Sequence, residues 1–243
     1  MNTGVSTELI GHSRMILSLA INGDGSLVAT GAWDYVAKIW DSKSGKCLLT
    51  FNGDKKKITS LAFSPDGKLL ATAASKSKVI AKLNRPSNWV IMIWNIETEK
   101  KLNTIRGEAI IEKLWGRFVD KKLNQGHTST ITTSSFSPDG RLIGTGSDDN
   151  MAKVWEVKTG RLRFTLHGHS DTIQSISFSP DGRFVVTGSA DKTIKICKLS
   201  TGKPVMTLEG HTGQVNCIDY DSSGQKILSG SSNGEIKLWN IKT

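Results

Sequence analysis

Four of the five histidines, His12, His127, His169 and His211, follow a glycine. A hydroxyl residue stands 18 positions after each: Thr30, Thr145, Thr187 and Ser229. Four positions further on come Asp34, Asp149, Asp191 and Asn233. A carboxylate that orients an imidazole, which then takes a proton from a hydroxyl, is the chemistry of nucleophilic acyl transfer. The same imidazoles could also ligate zinc. Recurrence speaks against both readings. A catalytic triad is one constellation in one pocket, whereas this grouping returns along the chain, as a buried polar network satisfying each repeat would. Zinc needs its ligands in one place. The histidines belong to separate repeats, and Cys47, Cys197 and Cys217 show no Cys-x-x-Cys spacing. The residues therefore point to no catalytic group, no metal and no cofactor.

The elements that must position these residues recur with them. Gly-His occurs at 11–12, 126–127, 168–169 and 210–211, with a degenerate Gly53-Asp54, so the glycines are spaced by 42, 73, 42 and 42 residues. One interval is 31 residues too long. Ile16, Ile58, Ile131, Ile173 and Val215 lie five residues after the glycine, and Ile21, Phe63, Phe136, Phe178 and Tyr220 lie ten after it. The second set precedes turns, three of which read Ser-Pro-Asp-Gly. There proline presets φ near about −65° and glycine accepts a positive φ. Trp40, Trp155, Cys197 and Trp239 stand 29 residues after the glycine. Short β-branched runs between turns at this period predict antiparallel four-stranded units.

In phase, Gly-His, Ser-Pro-Asp-Gly, Thr-Gly-Ser-x-Asp and Lys-Ile-Trp-Asp resemble the WD40-repeat family over essentially the whole chain. That resemblance implies an all-β WD40 β-propeller, one domain over 5–240, with five full four-stranded repeats plus two insertions. The repeats fall at about 11–52, 53–106, 126–167, 168–209 and 210–243. It also implies that an N-terminal strand, residues 5–10, aligned with 162–167, closes the last blade and leaves no unpaired ring edge. Five blades with insertions and six with a stunted blade both fit the length. The family further implies a hydrogen-bonded set in each repeat: His12, Thr30, Asp34 and Trp40; His127, Thr145, Asp149 and Trp155; His169, Thr187 and Asp191, with Cys197 for the tryptophan; His211, Ser229, Asn233 and Trp239. In the second repeat Asp54 replaces the histidine and Lys76 the aspartate.

Recognition in repeat proteins tends to sit where one repeat departs from the rest. The extra residues fall in two places. The first, at 78–90, has the pattern of a lengthened hairpin around Asn84-Arg85-Pro86-Ser87-Asn88. The second, at 107–125, has apolar spacing that suits a short helix or a stunted strand pair. By family topology both lie on the narrower face, with a basic group of Lys55, Lys56, Lys57, Lys76, Lys78, Lys82 and Arg85. Trp89 and Trp115 are expected to offer apolar contact beside it. The resemblance also marks Met15, Trp33, Tyr35, Asp148, Gln174 and Gln214 as partner contacts; Trp33 fits either an aromatic anchor or packing against an adjacent blade. A solvated rim that only aids solubility is the competing reading of the basic group.

The chain has 243 residues, 37% of them hydrophobic, and a formal net charge of +10. Such apolar content argues against disorder, and the charge permits acidic or phosphate-bearing partners without requiring them. With no secretory signal at the N-terminus and few cysteines, an intracellular location, cytoplasm or nucleus, is expected. The longest apolar run, residues 89–94, is far short of a membrane span. These features predict a non-enzymatic protein-interaction scaffold or adaptor. One alternative is a substrate receptor of a cullin–RING ubiquitin ligase, because residues 28–43 resemble the box such propellers carry. Residues 155–158 are similar to the end of that box, and Lys43 and Lys158 stand where the pattern prefers arginine. The other is a basic-face binder of nucleic acid, phosphopeptide or anionic lipid.

Overall fold

Alternation of β-branched and small residues between glycine turns builds strands throughout. The computed structural model describes residues 6–53, 55–75, 89–106 and 126–241, and all its regular structure there is β-strand. Sheet I holds β1 (Ile16–Ile21), β2 (Leu27–Ala32), β3 (Val36–Asp41) and β4 (Cys47–Asn52). Sheet II holds β5 (Lys57–Phe63), β6 (Leu69–Ser75), β7 (Trp89–Asn95) and β8 (Lys101–Arg106). Sheet III holds β9 (Ile131–Phe136), β10 (Leu142–Ser147), β11 (Ala152–Glu156) and β12 (Leu162–Leu166). Sheet IV holds β13 (Ile173–Phe178), β14 (Phe184–Ser189), β15 (Ile194–Lys198) and β16 (Pro204–Leu208). Sheet V holds β17 (Val215–Tyr220), β18 (Lys226–Ser231) and β19 (Ile236–Asn240). Each sheet is an antiparallel meander in chain order, and the first strands stand side by side: β1 by β5, β5 by β9, β9 by β13 and β13 by β17. These are the blades of a β-propeller.

The core lies between sheets. Ile58 and Leu61 of β5 pack on Ala29, Ala37 and Ile39 of sheet I. Ile131 and Phe136 do the same against Ala71, Ala73, Ile91 and Ile93 of sheet II. Space for these side chains comes from small residues on the second strand. A Cβ at Gly31 would stand 2.4 Å from Ile58 Cγ2, and one at Gly146 2.4 Å from Ile173 Cγ2. The Ser-Pro-Asp-Gly turns secure the far end of the blades. In the first of them Ser64 Oγ donates to Asp66 and accepts from the Leu69 amide, while Gly67 takes φ of 68°.

Two expectations change here. Residues 6–10 form no strand, and among the described residues sheet V has three strands, none of them from the N-terminal segment. The segment instead lies against the β3–β4 turn of sheet I, where a Cβ at Gly45 would stand 2.7 Å from Thr7 Cγ2. That is the place β12 takes beside Gly202 of sheet IV. The segment thus occupies an outer-strand position relative to sheet I without pairing to sheet V. The expected hairpin insert is also shorter at its end. Trp89 and Val90 already pair with Ser75 and Ala74, because Trp89 is wanted in the core. Residues 76–88 and the insert 107–125 lie outside the described residues.

Candidate functional site

Turn geometry brings the chemistry-bearing side chains to one end of every sheet. In sheets I, III, IV and V the connection entering the blade carries the histidine, and the turn between its second and third strands carries the acid. In sheet III, His127 Nδ1 lies 2.9 Å from Asp149 Oδ2 and Nε2 lies 2.8 Å from Thr145 Oγ1, which accepts Trp155 Nε1–H at 2.9 Å. A neutral ring with its proton on Nδ1 satisfies the chain in one direction: indole to hydroxyl, hydroxyl to imidazole, imidazole to carboxylate. Sheet I repeats it with His12, Asp34, Thr30 and Trp40, at 2.7 Å, 2.6 Å and 2.7 Å in the same order. Sheet IV keeps His169, Asp191 and Thr187 at 2.8 and 2.9 Å. There Cys197 fills the tryptophan position, and burial pushes its thiol up to about 11.

Burial holds the protonation states apart. Burial lowers the His127 and His169 imidazoles below their ordinary value, although their aspartates pull the other way. Burial also tends to raise the Asp149 carboxyl. The bonds from His127 and from the Thr128 and Met151 amides outweigh it, so the group sits below the usual carboxylate range. Thr145 is fully buried, so its hydroxyl is closed to any substrate. What the arrangement can do is clamp a loop onto a sheet. Among the described residues no group of three or more His, Cys, Asp or Glu could hold a metal ion.

Sheet V corrects one member. His211 Nδ1 meets Glu235 Oε2 at 3.0 Å, not Asn233, while Nε2 meets Ser229 Oγ, which accepts from Trp239. An amide cannot replace the carboxylate's charge, and Glu235, two residues further on, is long enough to return to the ring. It also accepts the Thr212 amide and hydroxyl, the largest reasons its carboxyl falls to about 2. Asn233 turns to Thr212 and Ser231. A second acid near the turn was the available signal. In sheet II, Trp94 Nε1 donates to Thr72 Oγ1 at 3.1 Å, the counterpart of the Trp155–Thr145 bond; Asp54 and Lys76 lie outside the described residues.

The rim above these clamps holds the expected contact residues, and it is most distinctive at sheet I. The Trp33 amide donates to the Met15 carbonyl at 2.9 Å, and the Gly53 amide to the Tyr35 carbonyl at 2.7 Å. The second bond docks the β4–β5 connection onto the β2–β3 turn. Lys57 Nζ then lies 3.3 Å from the centroid of the Trp33 ring, a cation–π contact. Lys55 is exposed, with Lys56 and Lys57 half-buried beside it. Tyr35 has φ of 72°, where the matching turn positions hold Asn150, Lys192 and Gly234. Tyr35 is 43% exposed, and Met15 is 57% exposed.

The remaining candidates are spread around the same end. Asp148 holds the Trp33 position in sheet III and accepts the Thr172 hydroxyl at 3.5 Å. Gln174 is half-buried in β13, and Gln214 is exposed before β17. Trp89 is not a surface contact: it is 1% exposed, packs on the rings of His127 and Trp155, and donates to the His127 carbonyl. Lys78, Lys82, Arg85 and Trp115 lie outside the described residues.

Blades of antiparallel strands, four of the five tied by a histidine–acid–hydroxyl clamp, define a propeller built of WD repeats. The family model "WD domain, G-beta repeat" matches residues 4–41, 45–81, 120–156, 160–198 and 202–240, and the chain belongs to that family. Among curated relatives it is similar to the WD repeat-containing protein SL1-17 of Schistosoma mansoni, at 31% identity over 63% of this chain and 54% of that protein. It also resembles the small ribosomal subunit protein RACK1 of Caenorhabditis elegans, at 28% identity over 65% and 53%. Pre-mRNA-processing factor 19 of Oryza sativa subsp. japonica matches at 28% over 59% of this chain and 30% of its own length. The chain thus spans about half or less of these relatives. No helix of the described residues is long and apolar enough to cross a membrane.

Proposed function

We propose that this chain is a non-enzymatic interaction scaffold, working inside the cell, that holds a partner protein on the rim formed by the β2–β3 turn of sheet I and the β4–β5 connection. The observation that carries this reading is Tyr35. A bulky aromatic residue in the left-handed region costs on the order of 1–3 kcal/mol and persists where surrounding structure or function holds it. Here it stands exposed beside Trp33, Met15 and a basic segment. An aromatic anchor flanked by cations suits a partner segment that carries both an apolar side chain and an acidic group.

Pull-down with mass spectrometry, using wild type and a Trp33→Ala, Tyr35→Asn double variant, tests the reading. Loss of the same partners from the variant is the expected result, and an unchanged partner set removes the rim from consideration. Lys55, Lys56 and Lys57 beside the aromatic pair favour an acidic partner segment. Its binding is then expected to weaken as salt rises. Lys43 and Lys158 are exposed in sheets I and III. A ligase adaptor among the captured proteins would point to the cullin–RING reading instead, although lysine lacks arginine's bidentate geometry.

A further inference from the structure

Lys153 of β11 and Thr165 of β12 stand opposite one another, and the lysine ammonium donates to the threonine hydroxyl at 3.1 Å. The same pair recurs as Lys38 with Thr50 in sheet I and Lys195 with Thr207 in sheet IV, at 3.1 and 3.2 Å. The pair by itself therefore belongs to the construction of a blade. Sheet III differs in what surrounds it. Lys38 and Lys195 are half-buried, whereas Lys153 is only 6% exposed. Among the described residues Lys153 forms no ion pair. Asp149, whose charge attracts it, is already held by His127 and by the Thr128 and Met151 amides. Burial therefore lowers the ammonium below its ordinary value in spite of that attraction.

A cleft of about 470 Å³ opens beside this lysine, lined also by Asp149, Met151, Leu162 and His167. That is room for a side chain or a small organic ion. His167, the one histidine outside the clamps, is exposed and stands two residues beyond Thr165, on the same side of the chain. Sheet I has Asn52 at that place, and sheet IV has Glu209, an acid of its own. We propose that the cleft is an anion site, taking a carboxylate or phosphate group on a short apolar stem, with Lys153 as its cation. An ammonium has three donor hydrogens, of which Thr165 takes one. The Thr165 hydroxyl, accepting that bond, keeps its own proton to donate, and the His167 ring offers an N–H. A buried cation attracts an anion more strongly than an exposed lysine does, because less water screens the pair. Leu162 and Met151 give the stem apolar cover. The cleft lies on a different sheet from the rim of Trp33 and Tyr35, so the two sites stand or fall separately.

Proton NMR of the five histidine rings reads occupancy at constant pH. Inorganic phosphate and acetate are the two probes, and chloride at matched ionic strength is the control. The His167 resonances are expected to shift saturably with at least one probe and not with chloride. Whichever probe saturates at the lower concentration tells a phosphate site from a carboxylate site. Lys153→Met has a precedent in sheet II, where Met92 is buried opposite Thr104, so this variant is expected to fold. It should bind the probe about tenfold or more weakly, whereas Lys195→Met, the same change in sheet IV, should leave binding as it is. Should Lys153→Met lose its circular dichroism, Lys153→Gln serves the same purpose. A His167 signal that saturates with neither probe overturns the proposal. So does a folded Lys153 variant that binds as tightly as wild type.

Discussion

Asp149 Oδ2 lies 2.9 Å from His127 Nδ1 and accepts the Thr128 amide at 2.8 Å. One carboxylate therefore fixes both the imidazole and the backbone of the loop that carries it. The ring and its Thr145 partner are buried, so water cannot easily take the place of a lost bond. Asp149→Ala is expected to cost about 1–3 kcal/mol, the usual penalty for leaving a buried polar group unsatisfied. Urea unfolding monitored by tryptophan fluorescence measures it. A midpoint equal to wild type would show that the clamp is ornamental.

Sheet V separates the two possible partners of its histidine. Because His211 is held by Glu235, Glu235→Ala is expected to lower the melting temperature more than Asn233→Ala. Asn233 holds Thr212, Ser231 and, at 3.4 Å, the Glu235 amide, all at the exposed rim and none of them the buried ring. Thermal melts of the two variants decide the matter, and the opposite ranking would return the role to Asn233.

Acid should loosen the fold in two stages. His127 and His169 are lowered from 6.5 in the folded chain by burial, so below that pH the unfolded chain binds protons that the folded chain refuses. Their contribution is fully present above 6.5 and is lost as pH falls from there toward the depressed folded values. Asp149 and Asp191 are lowered from 3.8, the bonds they accept outweighing burial, so a second loss begins below that value. The melting temperature is therefore expected to drop between about pH 7 and pH 5.5, and His127→Gln should flatten that slope. A melting temperature constant across this range would contradict the assignment.

The blades were legible because the signal repeats. Gly-His, the Ser-Pro-Asp-Gly turns and the tryptophan each recur at one spacing, so register errors in one repeat are corrected by the others. Glu235 was not legible, because the alignment put Asn233 at the acid's position and side-chain reach is not encoded in spacing. Trp89 failed for a related reason. Beside an irregular insert it had no repeat to calibrate it, and an indole is as good a core residue as a surface anchor. The N-terminal segment matches an outer strand in pattern, but pairing depends on which neighbouring edge it meets. The contact of Lys57 with Trp33 joins two repeats and has no periodic trace.

Tyr35 offers the sharpest separation of stability from binding. Its φ of 72° belongs to a position where sheet III places Asn150. Asparagine tolerates that backbone better than tyrosine, since its short polar side chain avoids most of the clash. The bond from the Gly53 amide to the residue 35 carbonyl is made by backbone and survives the change. Tyr35→Asn is therefore expected to raise stability by about 0.5–1 kcal/mol as strain is released. If the rim is a partner site, the same variant binds less well, because an exposed aromatic contact is gone. Lys57→Ser removes the cation over Trp33 and should weaken binding further while leaving the fold nearly unchanged. Unfolding curves and partner titrations on the same preparations read both effects. A variant that is more stable and binds equally well would show that the strain at Tyr35 serves no recognition.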